Sequence, residues 1–152
     1  MSTVLSKAVF EMLVKHLVEI EEEKEQILGK YYPDTTEERE LFIDLIDNYI
    51  GKIEEFIYKA KVKKDAEEAC PFVIIGSTVE IEDMHCNEIE RYKIISPFES
   101  NSNVNIDLAS YLSPMGKALL LKKVNDIVLV ETPMGQFTYI VRSIKLPREM
   151  YV

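Results

Sequence analysis

No apolar run in this 152-residue sequence approaches the roughly eighteen residues a helix needs to cross a bilayer, and residues 1–10 lack the basic start and apolar core of a signal peptide. A cytoplasmic chain with no membrane partner is expected. Cysteine is scarce: Cys70 and Cys86 are too few for a disulfide framework, and in a cytosolic chain they are expected to be free thiols. Histidine is equally scarce. His85 and Cys86 are adjacent within Asp83-Met84-His85-Cys86-Asn87, but without a second ligand pair they make no zinc site and read as a loop. His16 has no nucleophile near it in sequence and reads as a surface or seam residue. There is no phosphate-cradling glycine loop and no nucleophile elbow. Positive charge is in deficit, 18 Lys and Arg against 27 Asp and Glu, for a net charge of -9. The imbalance lies in residues 1–69, with ten basic and seventeen acidic residues; residues 70–152 have eight and ten. Such a surface repels a nucleic-acid backbone, so direct DNA binding is disfavoured and a protein partner with a basic channel suits it better.

What is present is 47% hydrophobic and 30% charged, the composition of a globular chain, and long enough for one ordinary domain or two small ones. Two periodicities divide it. Phe10, Leu13, Leu17, Ile20 and, past a gap at Lys24, Ile27 follow the three-then-four spacing of a heptad seam, with Glu19, Glu21, Glu22, Glu23 and Glu25 on the exposed positions. This predicts an amphipathic helix from about Leu5 to Lys30. Gly29 and Tyr31-Tyr32-Pro33 stop it, because the residue before proline is pushed out of α geometry. A second helix is expected to start at Asp34-Thr35-Thr36-Glu37, with Asp34 or Thr35 as cap, and to run to about Glu68. Its apolar residues form two stripes, Phe42, Leu45, Tyr49, Phe56 and Ile43, Ile46, Ile50, Ile53, Ile57. With so short a connection the two helices must pack antiparallel as a hairpin.

After the charged, proline-ended stretch Lys64–Pro71 the texture changes to short β-branched runs. Phe72-Val73-Ile74-Ile75, Thr78–Ile81, Arg91–Ile95, Asp126–Glu131 and Gln136–Ile144 are predicted strands. Thr132-Pro133-Met134-Gly135 has the proline and glycine of a tight turn, so the last two runs should pair. Ser113-Pro114 before Met115–Leu120 places a serine cap and a first-turn proline on a short helix. The expectation is α+β: a helical hairpin over residues 1–69, then an antiparallel sheet with one short helix over residues 70–152.

Four segments carry a family resemblance: Ile75-Gly76-Ser77-Thr78-Val79, Tyr92-Lys93-Ile94-Ile95, Leu112 through Leu120, and Val130-Glu131-Thr132-Pro133-Met134-Gly135 with its following strand. In this order and spacing they resemble the C-terminal domain of the Gre transcript-cleavage factors of bacterial RNA polymerase. That resemblance implies a coiled-coil hairpin followed by a domain of FKBP-like topology. It also implies docking on the coiled-coil rim of the polymerase secondary channel through Ser113, Pro114 and Met115. An accessory factor is implied, rather than an independent enzyme, and a monomer is expected.

Gre factors carry two carboxylates spaced Asp-x-x-Glu at the hairpin tip, which help hold a second Mg²⁺ at the polymerase active centre. Asp34 and Glu37 have this spacing. The resemblance therefore implies stimulated cleavage of backtracked RNA through Mg²⁺ shared with polymerase, with no cofactor bound stably by the chain itself. Oxygen ligands suit a hard cation, and two metals can activate water in phosphodiester hydrolysis. Where the family continues Asn-Ala-Glu-Tyr, this sequence has Glu38-Arg39-Glu40-Leu41, and its first helix is shorter. An alternative is therefore a paralogue that docks in the same way but inhibits or retunes polymerase, with Glu37, Glu38 and Glu40 acting electrostatically. Asp34 and Glu37 also have a purely local reading, as helix cap and dipole complement. Prolyl isomerisation is disfavoured because the chain has no tryptophan, the usual floor of the proline pocket in FKBP relatives. Dimerisation through the second stripe of helix two is a further alternative.

Overall fold

The computed structural model describes residues 4–64, 66, 69, 71–98 and 106–146. They form two compact units, one within residues 1–69 and the other within residues 70–149. The class is α+β, as the two periodicities imply.

The first unit is the hairpin, made of β1 (Val4–Leu5), α1 (Lys7–Tyr31), α2 (Glu37–Lys59) and β2 (Lys61–Val62). Ser6 caps α1, its hydroxyl accepting from the Val9 N–H at 3.1 Å. The helix continues through Gly29 to Tyr31. The cap of α2 is Thr36, not Asp34 or Thr35: its hydroxyl accepts from the Arg39 N–H at 3.2 Å. The end of α2 is also corrected, to Lys59, well short of Glu68, which lies outside the described residues, as does Cys70. Ala60 turns extended, and Lys61–Val62 pairs in parallel with Val4–Leu5, so a sheet contact formed by distant residues overrides helix propensity there.

The α1 seam is rotated from the predicted stripe. Val9, Met12, Leu13, His16, Ile20, Ile27 and Leu28 are buried, while Phe10 and Leu17 are only half-buried. The two stripes of α2 merge into one buried face of Phe42, Ile46, Tyr49, Ile50 and Ile53. Lys24 fills the gap in the α1 pattern, its Nζ 2.7 Å from Asp47 Oδ1 on α2. Among the described residues, no helix is long and apolar enough to cross a membrane.

The second unit contains β3 (Thr78–Asp83), β4 (Ile89–Ile95), β5 (Asp107–Ser110), α3 (Pro114–Leu119), β6 (Ile127–Thr132) and β7 (Gly135–Lys145). The sheet order is β5-β4-β3-β7-β6. It is antiparallel except at one edge, where β5 runs parallel to β4, and β5 has no counterpart among the predicted strands. The predicted β6–β7 hairpin forms, with Thr132 opposite Gly135. Gly135 takes φ +129°, a conformation that favours glycine, and Thr132 Oγ1 donates to the Gly135 carbonyl at 3.0 Å.

Phe72–Ile75 is not a strand. These four side chains are buried, but Val73 exchanges backbone hydrogen bonds with Leu121 and Lys122 across a loop, and Ser77 Oγ bonds to the Ile74 backbone. The run is apolar because it is core, not because it is a ladder.

Candidate functional site: the hairpin tip

Five residues, Tyr32 to Thr36, connect the two helices. Asp34 is exposed in this connector, and Glu37 is exposed at the first position of α2, beside exposed Glu38 and Glu40. Acids here oppose the positive end of the helix dipole. The connector is tied down from three directions. The Tyr32 N–H donates to the Leu28 carbonyl at 3.2 Å. Its ring stacks on the buried Phe42 ring with centroids 5.3 Å apart and planes 26° apart. Arg39 Nε donates to the Tyr32 carbonyl at 3.1 Å. A local cap and two exposed carboxylates therefore coexist at the tip.

The donor set fits a hard cation but does not complete a shell. Asp34 and Glu37 could supply carboxylate oxygens, whereas Mg²⁺ prefers about six oxygen ligands. Among the described residues, no three His, Cys, Asp or Glu side chains come together as a metal cluster. The tip could thus hold such an ion only in partnership with ligands from elsewhere.

In the second unit, Ser113 begins α3. Its hydroxyl accepts from the Gly116 N–H at 3.1 Å and donates to the Ser110 carbonyl at 2.7 Å. Pro114 is exposed at the first turn, and Ser113 and Met115 are half-buried. Gly116 is required by contact: a Cβ there would lie 1.9 Å from the Ser110 carbonyl oxygen. A second polar cluster lies on the sheet, where the Tyr92 hydroxyl donates to Glu90 Oε1 at 2.7 Å. Burial, reinforced by Glu90, pushes the phenol of Tyr139 up to about 12 and that of Tyr92 higher still.

The family model for the C-terminal domain of the GreA/GreB transcription elongation factors matches residues 68–146, more than half of the chain. The chain belongs to the GreA/GreB family. The transcription elongation factor GreA of Solidesulfovibrio magneticus is 40% identical over 72 residues, 47% of this chain and 43% of that protein. Two further GreA proteins are covered over 45% and 40% of their length, so the chain spans less than half of these relatives. The transcription inhibitor protein Gfh1 of Thermus aquaticus is 33% identical over 144 residues, 87% of this chain and 89% of that protein. The crystal structure of Thermus aquaticus Gfh1 covers 95% of this chain and 98% of its own at 28% identity, with a TM-score of 0.45.

Asp34 lies in the connector and Glu37 at the first position of α2, while Ser113 caps α3 and Pro114 and Met115 are its first two residues. Among the described residues His85 belongs to no metal cluster; its backbone N–H donates to Asp83 Oδ1 at 2.8 Å in the β3–β4 turn, and Cys86 is free and exposed. His16 is a seam residue rather than a surface one. Sequence reasoning missed Arg39 and Tyr32, because a guanidinium among acids reads as solvated charge.

Proposed function

We propose that this protein regulates transcription elongation by binding RNA polymerase. The hairpin enters the secondary channel, and the second unit docks on the rim coiled coil through Ser113, Pro114 and Met115. Membership of the GreA/GreB family carries this reading. The acidic hairpin supports it, since a net negative finger complements a basic channel. The 25 residues of α1 make the finger about 37 Å long.

At the far end Asp34 and Glu37 would share Mg²⁺ with polymerase, completing a shell that neither partner completes alone. The ion supplies charge stabilisation and activation of water in phosphodiester chemistry. Asp34 and Glu37 would be the residues of this chain that hold it, through carboxylate oxygens. The RNA and the remaining ligands belong to polymerase, so this chain acts as an accessory factor.

Two outcomes are compatible with that placement, stimulated cleavage of backtracked RNA and inhibition. One observation favours inhibition. The alignment with the transcription inhibitor Gfh1 runs along nearly the whole chain, hairpin included, whereas the first GreA alignments stop at about half. The test is to add the protein to backtracked and to actively elongating complexes and to follow both RNA shortening and nucleotide addition. Slowed addition with intact RNA establishes inhibition, shortened RNA establishes cleavage stimulation, and no effect on either with saturating protein rejects the proposal. Alanine at Asp34 and Glu37 together should remove the effect without changing polymerase affinity.

A further inference from the structure

We propose that Arg39 is a positioning residue for the tip carboxylates, holding the connector in one conformation so that Asp34 and Glu37 meet a shared cation as a preformed pair. This rests on the reading of the tip given above.

The connector is short, polar and exposed, and ordering such a segment costs roughly 1–2 kcal/mol of backbone entropy per residue when nothing in the free protein restrains it. Arg39 restrains it from both ends. Its backbone N–H donates to Thr36 Oγ1 at the exit, and its Nε donates to the Tyr32 carbonyl at the entry. Tyr32 is in turn seated on Phe42, which is 1% exposed, so the entry end is anchored to the hairpin core.

The direction of the guanidinium matters as much as its reach. Arg39 is half-buried and has Asp34, Glu37, Glu38 and Glu40 as near neighbours in sequence, yet among the described residues it forms no ion pair. Its Nε is committed to a backbone carbonyl instead. A guanidinium clamped on Asp34 or Glu37 would compete with a cation for the same oxygens. In the observed arrangement Arg39 holds the loop through a backbone carbonyl and engages neither carboxylate.

The test uses the full chain with polymerase elongation complexes, titrating Mg²⁺ and reading the factor-dependent change in RNA cleavage or nucleotide addition. Arg39→Ala should raise the Mg²⁺ concentration for half-maximal effect by on the order of three- to tenfold, the range expected from losing one ordering hydrogen bond. Polymerase affinity, read by competition, should stay unchanged. Arg39→Met, which keeps helix propensity and a stem of similar length but has no donor, should shift equally, and Arg39→Gln, whose amide nitrogen stands as many bonds from Cα as the Nε that donates to Tyr32, should recover part of the shift. A variant that loses amplitude at an unchanged Mg²⁺ midpoint, or needs less Mg²⁺ than wild type, overturns the proposal. The double variant Asp34→Ala with Glu37→Ala separates the two levels. If it keeps the full effect, the tip reading itself is wrong; if it loses the effect while Arg39→Ala titrates like wild type, only the role of Arg39 is wrong.

Discussion

His16 Nε2 lies 2.7 Å from the Tyr49 hydroxyl, a polar pair closed inside the α1–α2 seam, with the two rings edge to face at 5.9 Å. Both residues are almost fully buried, and Val9, Met12, Leu13 and Ile20 on one helix and Ile46, Ile50 and Ile53 on the other supply the rest of the seam. A single hydrogen-bonded pair in an apolar seam favours one register, because any slip leaves two polar groups without partners.

That pair makes the hairpin acid-sensitive. Burial lowers the His16 imidazole from 6.5 to about 4, so the folded state keeps it neutral while the unfolded chain takes up a proton. Its contribution is therefore complete above pH 6.5 and is lost as pH falls from 6.5 through about 4. The total loss is roughly 3 kcal/mol, from about 1.4 kcal/mol per pH unit. Urea unfolding between pH 7 and pH 4, followed by helical circular dichroism, should show this slope in wild type and a shallower one in His16→Leu.

The same substitution should act with opposite sign at two glycines. Gly116→Ala places a Cβ 1.9 Å from a carbonyl oxygen and should destabilise the second unit by on the order of 2–4 kcal/mol. Gly51→Ala, inside α2 with nothing within 4 Å, should stabilise the hairpin by about 0.5–1 kcal/mol. Thermal melts of the two variants check both signs.

Ser113→Ala removes an acceptor for the Gly116 N–H and a donor to the Ser110 carbonyl. Loss of the cap should cost about 1 kcal/mol in the second unit. Pro114→Ala leaves those bonds in place, so reduced polymerase affinity in that variant, with an unchanged melting temperature, would report docking itself.

At the alkaline end, Tyr139 and Tyr92 should be the late-ionising phenols. Their folded values lie above the ordinary 10, so the stability they contribute is complete below pH 10 and is lost as pH rises through about 12. Absorbance at 295 nm should show a late step that Tyr139→Phe reduces. Glu90→Gln, which removes the carboxylate beside both rings, should move that step to lower pH.

Much of the fold was legible where the determinants are local. The hairpin was readable because apolar residues recur at helical spacing on both arms, and Ser113-Pro114 and Thr132–Gly135 announced a helix start and a strand turn by their own chemistry. The tip was legible as a place, since only a handful of residues separate two helices, and Asp34 and Glu37 were found there. Its working parts were less so. Thr36 rather than Asp34 became the cap, and the hydrogen bond from Arg39 to Tyr32 links residues whose types suggest nothing about each other.

What the sequence determined by itself was the division into a helical and a strand-rich half, the antiparallel hairpin, the sign of its charge and the spacing of its tip acids. All of these follow from composition and short-range periodicity. Tertiary structure alone decided that Phe72–Ile75 is buried loop, that Asp107–Ser110 is a strand parallel to β4, that α2 stops at Lys59, and that His16 rather than Leu17 enters the seam. Each of those outcomes depends on a partner far away in the chain: Leu121 for Val73, Tyr92 to Ile95 for β5, Val4–Leu5 for β2 and Tyr49 for His16. A hydrogen bond or buried contact between distant segments outweighs the few tenths of a kcal/mol by which local propensities differ, and no local pattern records it.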